Sequence, residues 1–231
     1  MYKIVIAEDH KFFRESLSLV CKTQGFHVLF LAVDGVNLEY YLNSSKNDPS
    51  LIPDIILMDI SMPRINGITA TVYVARHFPS INVIALSIYA QEKPVLDMLR
   101  SGAKGFIDKG NVDYDEILLA INAVMCGEYY ISPSVLEEWK IPPDYFKTEY
   151  HKKFEPNLLN KMEYQFLSYC GTELGYKEIA EKMGIKVHTA NNYSAAVFEK
   201  LNIHSRAGLV IYAIKHGLTE IYHPESLITC L

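Results

Sequence analysis

Short apolar runs alternate with amphipathic stretches along the first 130 residues. Five runs rich in β-branched or aromatic residues predict strands, at residues 2–7, 26–32, 54–59, 81–87 and 104–108. The stretches between them predict helices, for example HKFFRESLSLVCKT and DYDEILLAINAVMC. Strict alternation of strands and helices is typical of a doubly wound parallel sheet. We therefore expect an α/β domain with a five-stranded parallel sheet over residues 1–130.

The pattern changes after residue 130. Four prolines interrupt residues 131–156, so this segment is predicted to be a linker with one short helix near residues 134–140. Residues 157–231 contain four helical patterns, LLNKMEYQFLSYC, GYKEIAEKM, VHTANNYSAAVFEKL and RAGLVIYAIKH. We expect a second, smaller all-α domain there.

The amino-acid composition narrows the possible cellular location of the protein. Hydrophobic residues make up 49% of the chain and charged residues 21%, as in ordinary globular proteins. No apolar run reaches the length of about 18 residues that a membrane helix needs, and the N-terminal run turns acidic too early for a secretory signal. The four cysteines are widely separated, which favours free thiols. We expect a cytoplasmic protein without a membrane partner.

The charge is weakly acidic, with a formal net charge of −5. Residues 1–130 carry 11 Lys and Arg against 15 Asp and Glu, and residues 152–231 carry 9 against 8. Neither part is strongly basic. A role in nucleic-acid binding therefore cannot rest on net charge.

Polar residues stand where the predicted strands end. Glu8 and Asp9 follow the first strand, Asp59 ends the third, Ser87 ends the fourth, and Lys109 follows the fifth. The carboxyl ends of parallel strands share one edge of the sheet, where ligands bind in such folds. A single acid after a strand is common on protein surfaces, but five polar positions that converge at one edge favour a binding site. Three neighbouring carboxylates repel one another and need a cation, and oxygen ligands suit Mg²⁺.

The string MDISMPRING surrounds Asp59. Pro63 fixes its own φ and Gly67 tolerates positive φ, so the string predicts a tight loop beside the acid. Such a loop would hold a backbone carbonyl near the cation.

Four motifs in order, AEDH (7–10), LMDISMPRING (57–67), ALS (85–87) and GFIDK (105–109), resemble the flavodoxin-like receiver domain of two-component response regulators. The resemblance implies that Asp59 is the phosphoryl acceptor and that a sensor histidine kinase is a partner. It implies that Asp9, Asp59 and the Ser61 backbone carbonyl bind Mg²⁺, with Glu8 acting through water. A receiver promotes only its own phosphorylation and dephosphorylation, so an enzyme with another substrate is not expected.

The same resemblance assigns the remaining residues of the site. Ser87 and Lys109 would contact phosphoryl oxygens, and Phe106 would be the aromatic residue that moves together with Ser87. The hydroxyl of Ser87 would turn toward the phosphoryl group and leave room for Phe106 to move inward. The charge of the phosphoryl group would thus favour one of two conformations of the domain.

A Mg²⁺-dependent phosphohydrolase is the rival for this half of the chain. Enzymes of the haloacid-dehalogenase type also use an aspartyl nucleophile, at the end of the first strand in a D-x-D pattern. Here that strand ends in Glu8, Asp9 and His10 without the pattern. Repeated release of phosphate would distinguish a hydrolase from a receiver, which is labelled once.

The motifs YKEIAEKMGI, HTANNYSAAVFEKL and SR resemble the helix-turn-helix output domain of NarL/LuxR-type regulators. Gly184 would lie in the turn, and Thr189 is a reasonable cap for the second helix. Met162 and Glu173 depart from the pattern, since Arg and Gly are usual there.

The second helix of this motif has two faces. Its predicted packed face comprises Ala190, Ser194, Val197 and Leu201. Asn191, Asn192 and Ala195 lie opposite, where the resemblance implies contacts to DNA, and Asn amides suit adenine. The predicted phosphate contacts are Lys177, Lys182, Lys186, Lys200 and Arg206. Activation would promote dimerisation or relieve inhibitory contacts between the domains, and dimers would bind paired half-sites.

Two functions remain open from the sequence. The first is a response regulator that is phosphorylated on Asp59 and regulates transcription by sequence-specific DNA binding. The alternative is a phosphorylation-controlled protein-interaction module whose helix-turn-helix no longer binds DNA, because the presented helix face carries no basic residue.

Overall fold

A computed structural model describes residues 1–88, 92–111, 113–139 and 158–218. The chain divides into two compact units, Met1–Ser132 and Pro133–Leu231. Most of the predicted linker, residues 140–156, lies outside the described residues, as do residue 157 and residues 219–231 of the predicted second domain. None of the helices in the described ranges is long and apolar enough to cross a membrane.

The first unit is a parallel sheet with helices between its strands. The strands are β1 (Lys3–Ala7), β2 (His27–Ala32), β3 (Ile55–Asp59), β4 (Asn82–Ser87), β5 (Gly105–Asp108) and β6 (Tyr130–Ile131). Their order is β2-β1-β3-β4-β5-β6, and every pairing is parallel. The helices are α1 (Lys11–Thr23), α2 (Gly35–Ser45), α3 (Gly67–His77), α4 (Glu92–Arg100) and α5 (Tyr114–Met125), with a short 3-10 helix at Pro49–Leu51. The doubly wound α/β prediction is confirmed, and a sixth strand of two residues extends the five that were predicted.

The core of this unit explains the apolar runs. Alternate residues of the central strands pack with buried residues of α1 and α5 in one cluster, which includes Ile6, Leu57, Leu86, Leu17 and Ile121. All five residues of β3 are buried. Strands covered on both faces are continuous apolar runs because neither face meets water. The rigid sheet fixes the positions where its strands end.

The second unit is helical throughout its described residues. Its helices are α6 (Pro133–Glu138), α7 (Lys161–Cys170), α8 (Tyr176–Met183), α9 (Val187–Leu201) and α10 (Arg206–Lys215). Gly184 ends α8 in the left-handed region at φ 66°, a conformation that glycine adopts without strain. This residue turns the chain from α8 into α9.

The start of α9 corrects one expectation. Thr189 was predicted as a cap, but Lys186 is the N-cap residue, and its side chain makes no capping hydrogen bond. Thr189 therefore lies inside the first turn. Three residues of the predicted packed face of α9, Ala190, Ser194 and Val197, are buried, but Leu201, which was predicted to pack with them, is only partly buried.

Candidate functional site

The carboxyl ends of four strands surround one cavity in the first unit. It has a volume of about 360 Å³. Its lining residues are Glu8, His10, Phe12, Phe13, Asp59, Ser61, Ser87, Ile88 and Lys109. The sheet thus brings together Glu8, Asp59, Ser61, Ser87 and Lys109 from the predicted site.

Lys109 joins two carboxylates in this cavity. Its Nζ atom lies 2.6 Å from Glu8 Oε2 and 2.6 Å from Asp59 Oδ1. The ammonium group also lies 5.0 Å from the centroid of the Phe13 ring. Its backbone N–H donates to the carbonyl of Ser87 at 2.7 Å, which ties the start of the loop after β5 to β4. The amine is therefore held where it balances the charge of both acids.

Burial dominates the electrostatics of Glu8. The side chain is fully buried, and burial raises the pKa of Glu8 despite the opposing hydrogen bond and charge of Lys109. Asp59 adds to the rise by repulsion. A further cation beside these acids would relieve this repulsion.

The oxygens at the end of β1 fit a divalent cation. Asp9 Oδ1 is buried and has no hydrogen-bond partner among the described residues. An unpaired buried carboxylate oxygen is costly, and a cation would satisfy it. Because Asp9, Glu8 and Asp59 contribute only carboxylate oxygens, they suit a hard cation such as Mg²⁺.

Arg14 fixes the backbone that carries two of these acids. Its Nη1 atom donates to the carbonyl of Glu8 at 2.5 Å and to that of Asp9 at 3.2 Å. The N–H of Glu8 donates to the Ala32 carbonyl at 3.1 Å. Sequence reasoning missed Arg14, because its position one turn into the helix does not show where its side chain ends.

The loop after β3 approaches the backbone of Asp59. The N–H of Gly67 donates to the Ile60 carbonyl at 2.9 Å. A Cβ atom on Gly67 would lie 2.1 Å from the Asp59 carbonyl oxygen, so no side chain fits there. Arg64 has a positive φ of 63°, and its Nε atom donates to Asp34 at 2.6 Å. The loop is thus anchored at Arg64 and at Gly67.

Ser87 and Phe106 lie on neighbouring strands. Ser87 pairs in register with Asp108, and Ala85 pairs with Phe106. Ser87 lines the cavity and is 2% exposed, whereas Phe106 is fully buried and is not among the lining residues. The two residues predicted to move together therefore lie at different depths.

In the second unit, α9 presents a face of three uncharged residues. We call Asn191, Asn192 and Ala195 the presented face; all three are exposed. Lys177 on α8 and Lys186 at the start of α9 are exposed as well. Lys182, near the end of α8, is also exposed.

Two other predicted DNA contacts are engaged inside the second unit. Lys200 Nζ lies 2.6 Å from Glu163 Oε2 and 2.8 Å from Oε1. Arg206 donates to the carbonyl of Leu174 and lies over the Tyr176 ring, 5.2 Å from its centroid. These two cations hold contacts within the second unit, and Lys200 is at the same time exposed.

Glu163 ties two helices together. Its carboxylate accepts a hydrogen bond from the Asn160 backbone N–H at 2.8 Å, which closes a capping box at the start of α7. Burial raises the pKa of Glu163, but the bonds from Lys200 and Asn160 outweigh it and hold the pKa below its usual value. The ionised acid thus links the start of α7 to the end of α9.

Comparison with known proteins gives two family matches. Residues 4–122 match the family described as "Response regulator receiver domain". Residues 157–213 match "Bacterial regulatory proteins, luxR family". The curated relatives include "Oxygen regulatory protein NreC" from Staphylococcus aureus strains, 34% identical over 224 residues, covering 94% of this chain and 99% of the relative.

Solved structures share the fold. A Salmonella typhimurium RcsB response regulator is 21% identical with a TM-score of 0.51, covering 91% of this chain and 97% of that one. The RcsB in a DNA complex is 21% identical with a TM-score of 0.53, covering 93% and 98%. A LuxR-family response regulator from Aurantimonas is 24% identical with a TM-score of 0.53, covering 60% and 94%.

Proposed function

Because this chain belongs to the response regulators that join a receiver domain to a LuxR-type helix-turn-helix domain, we propose that it accepts a phosphoryl group on Asp59 and that this step controls its binding to DNA. The observation that carries the first half is the position of Lys109 between Asp59 and Glu8, 2.6 Å from each, in an open cavity. No other described lysine holds two acids of that cavity.

The chemistry follows from the charges around Asp59. One of its carboxylate oxygens attacks phosphorus in line, a new O–P bond forms, and the bond between phosphorus and the donor breaks. Lys109 then balances charge on the phosphoryl oxygens, and the hydroxyl of Ser87 donates to one of them. Mg²⁺ held by Asp9, Asp59, the Ser61 carbonyl and, through water, Glu8 would make the approach of two anions tolerable.

Labelling with a small-molecule phosphodonor and Mg²⁺ tests the acceptor. We expect the wild type to incorporate up to one phosphoryl group and the Asp59→Asn variant to incorporate none, because an amide oxygen is not an anionic nucleophile. Asp115→Asn is the matched control, since Asp115 is exposed on α5. Equal labelling of wild type and Asp59→Asn would exclude Asp59 as the acceptor.

For the second domain we propose that α9 enters the major groove with its presented face toward the bases. Asn191 and Asn192 offer paired donors and acceptors, which suit adenine. The exposed Lys177, Lys182 and Lys186 would contact phosphates. Lys200 and Arg206 remain predicted phosphate contacts, and both also hold contacts within the domain.

The neutral presented face favours one alternative, a protein-interaction module without DNA affinity. Binding of the phosphorylated chain to genomic DNA fragments at low salt separates the two functions. If α9 reads bases, Asn191→Ala and Asn192→Ala each lose about 1–3 kcal/mol of discrimination between preferred and other sequences. Glu173→Gln, an exposed change between α7 and α8, serves as the control. Absence of binding by the wild type would favour the alternative.

We further infer that the phosphodonor in the cell is a sensor histidine kinase and that the protein acts in the cytoplasm. A dimer would match two half-sites, because the symmetry of such a pair mirrors that of the DNA site. Sedimentation before and after phosphorylation tests this step. A chain that stays monomeric in both states, with and without DNA, would contradict it.

A further inference from the structure

His10 lies at the same strand end as the proposed cation site, but the proposed function gives it no role. One potential ligand atom from each of Glu8, Asp9 and His10 lies within 4.8 Å of the other two. His10 Nδ1 is 2.9 Å from Asp9 Oδ1 and 3.4 Å from Glu8 Oε1. Ligands about 2.0–2.2 Å from one ion are separated by roughly these distances in octahedral or tetrahedral sites. The three atoms are spaced like neighbouring ligands.

Hydrogen bonding does not account for this spacing. Asp9 Oδ1 is buried and accepts no hydrogen bond from the described residues, and His10 Nδ1 lies 2.9 Å from it. A cation between them would bind the lone pairs of both.

The backbone of His10 also orients Glu8. Its N–H donates to Glu8 Oε1 at 3.1 Å, while Oε2 of the same carboxylate receives Lys109 at 2.6 Å. One oxygen of Glu8 is thus turned toward Lys109 and the other toward His10. The Glu8 carboxylate can therefore contact the Lys109 ammonium through Oε2 and a metal ion beside His10 through Oε1.

Apart from its approach to Glu8 and Asp9, the imidazole of His10 is open to solvent. The His10 side chain is 80% exposed. His10 is the N-cap residue of α1, but its side chain makes no capping hydrogen bond. The ring lines the cavity that contains Asp59. A change of the side chain should therefore leave the fold intact.

We propose that His10 Nδ1 is a metal ligand and that, with Glu8 and Asp9, it gives the receiver site a preference for a late first-row transition-metal ion such as Ni²⁺ over Mg²⁺. Imidazole suits Ni²⁺, Cu²⁺ and Zn²⁺, whereas Mg²⁺ favours oxygen ligands. Mg²⁺ would be held by the carboxylates and the Ser61 carbonyl without His10. This inference rests on the proposed function, because it concerns the same cation site.

Calorimetric titration of the full-length chain with Ni²⁺ and with Mg²⁺ tests the preference. In His10→Ala we expect the Kd for Ni²⁺ to rise at least about tenfold, since even loss of a group that only supports a ligand costs about 10–100-fold. The Kd for Mg²⁺ should change less than about twofold, because Mg²⁺ does not need the imidazole. His10→Gln, which keeps polarity and size but lacks the ring nitrogen, should match His10→Ala. His27→Ala is the control, since His27 is exposed at the start of β2.

Pulsed EPR with one equivalent of Cu²⁺ gives a direct signature of the ligand. The remote ring nitrogen of a coordinated imidazole modulates the echo, and we expect this modulation in the wild type and in His27→Ala but not in His10→Ala. Modulation that persists in His10→Ala, or equal Ni²⁺ affinity in wild type and His10→Ala, overturns the proposal. Equal loss of Mg²⁺ and Ni²⁺ affinity overturns it too, because no preference would then depend on His10.

Mg²⁺-dependent phosphoryl labelling separates this inference from the proposed function. If His10→Ala is labelled like the wild type and binds Ni²⁺ as tightly, His10 is not a ligand and the receiver function stands. If the wild type is not labelled with Mg²⁺ at all, the receiver function fails. Labelling of both proteins together with weaker Ni²⁺ binding by His10→Ala supports both proposals.

Discussion

Gly67 limits the site through one close approach. The position that its Cβ would take lies 2.1 Å from the carbonyl oxygen of Asp59, and backbone atoms give way less readily than a flexible side chain. Any substitution must therefore move either the start of α3 or the end of β3. The position of Asp59 therefore depends on Gly67 having no Cβ atom.

Replacing Gly67 tests this dependence. We expect Gly67→Ala to lower the free energy of unfolding of the receiver domain by about 1–3 kcal/mol, as overpacking does, and to slow phosphoryl labelling because Asp59 is displaced. Urea unfolding and the labelling rate measure the two effects. Thr69→Ala, an exposed change in the same helix turn, should leave both unchanged. A variant as stable and as reactive as the wild type would show that the loop adjusts freely.

The residues of the cavity differ in how far the sequence predicts them. Glu8, Asp59, Ser87 and Lys109 follow apolar strands, so their meeting at one edge can be inferred from the parallel order alone. Arg14 could not be assigned in this way, because its contact depends on the direction of one long side chain toward backbone carbonyls. Periodicity places a residue on a face, but it does not fix where the end of its side chain lies.

Elements show the same limit at a larger scale. The apolar runs predict β1 to β5 because each has four or more residues, whereas β6 has two and no pattern can form. What holds this strand is its surroundings: the Ser132 N–H donates to the Phe106 carbonyl at 2.9 Å, and its Oγ accepts from the Asp108 N–H at 2.8 Å. Tertiary contacts outweigh local preference there.

The cap of α9 gives a second example. Thr prefers capping positions, but the chain leaves Gly184 in a short turn and reaches extended backbone at Lys186, with φ −77° and ψ 151°. The length of the turn therefore sets the start of the helix, not the chemistry of Thr189. The ion pair of Lys200 could likewise not be predicted from the sequence, because its partner Glu163 lies 37 residues away.

The link from α7 to α9 predicts a dependence of stability on pH. The pKa of Glu163 is lowered from 4.5 in the folded domain, so the folded domain binds a proton at Glu163 more weakly than the unfolded chain does. This stability is fully present above pH 4.5 and is lost as the pH falls through the lowered pKa. Acid should weaken the helical domain over that range.

Glu163→Gln isolates this effect. At pH 7 we expect the free energy of unfolding of the helical domain to fall by about 1–3 kcal/mol, since bonds to a charged, largely buried group are lost. Below pH 4.5 the difference from the wild type should shrink. Urea unfolding followed by circular dichroism measures both values, and Glu181→Gln on the exposed side of α8 is the control. A difference that is constant with pH would contradict the assignment.

At the scale of the whole molecule, charge bears on DNA binding. The chain carries a net charge of −5, and the exposed lysines that we propose as phosphate contacts include Lys177, Lys182 and Lys186. Few phosphate contacts imply a shallow dependence of affinity on salt, because each contact releases roughly one counterion. The receiver domain must balance the charge of its carboxylates, whereas the helical domain must attract phosphates. The electrostatic requirements of the two domains therefore differ.

Alanine at Lys177, Lys182 and Lys186 tests this distribution. Each change should reduce the slope of log affinity against log salt by about 0.9, while sequence preference stays the same because the base contacts are intact. Lys161→Ala, at the exposed start of α7, should leave the slope unchanged. Binding measured from low to moderate salt gives the slopes. If all four variants share the slope of the wild type, other groups hold the phosphates.

The two faces of α9 share no residue. Ala190, Ser194 and Val197 are buried in the fold, while the presented face of Asn191, Asn192 and Ala195 is exposed. A new set of side chains from another regulator can therefore be grafted onto the presented face without disturbing the core beneath it. The helix is a separable module for reprogramming which promoters this domain selects.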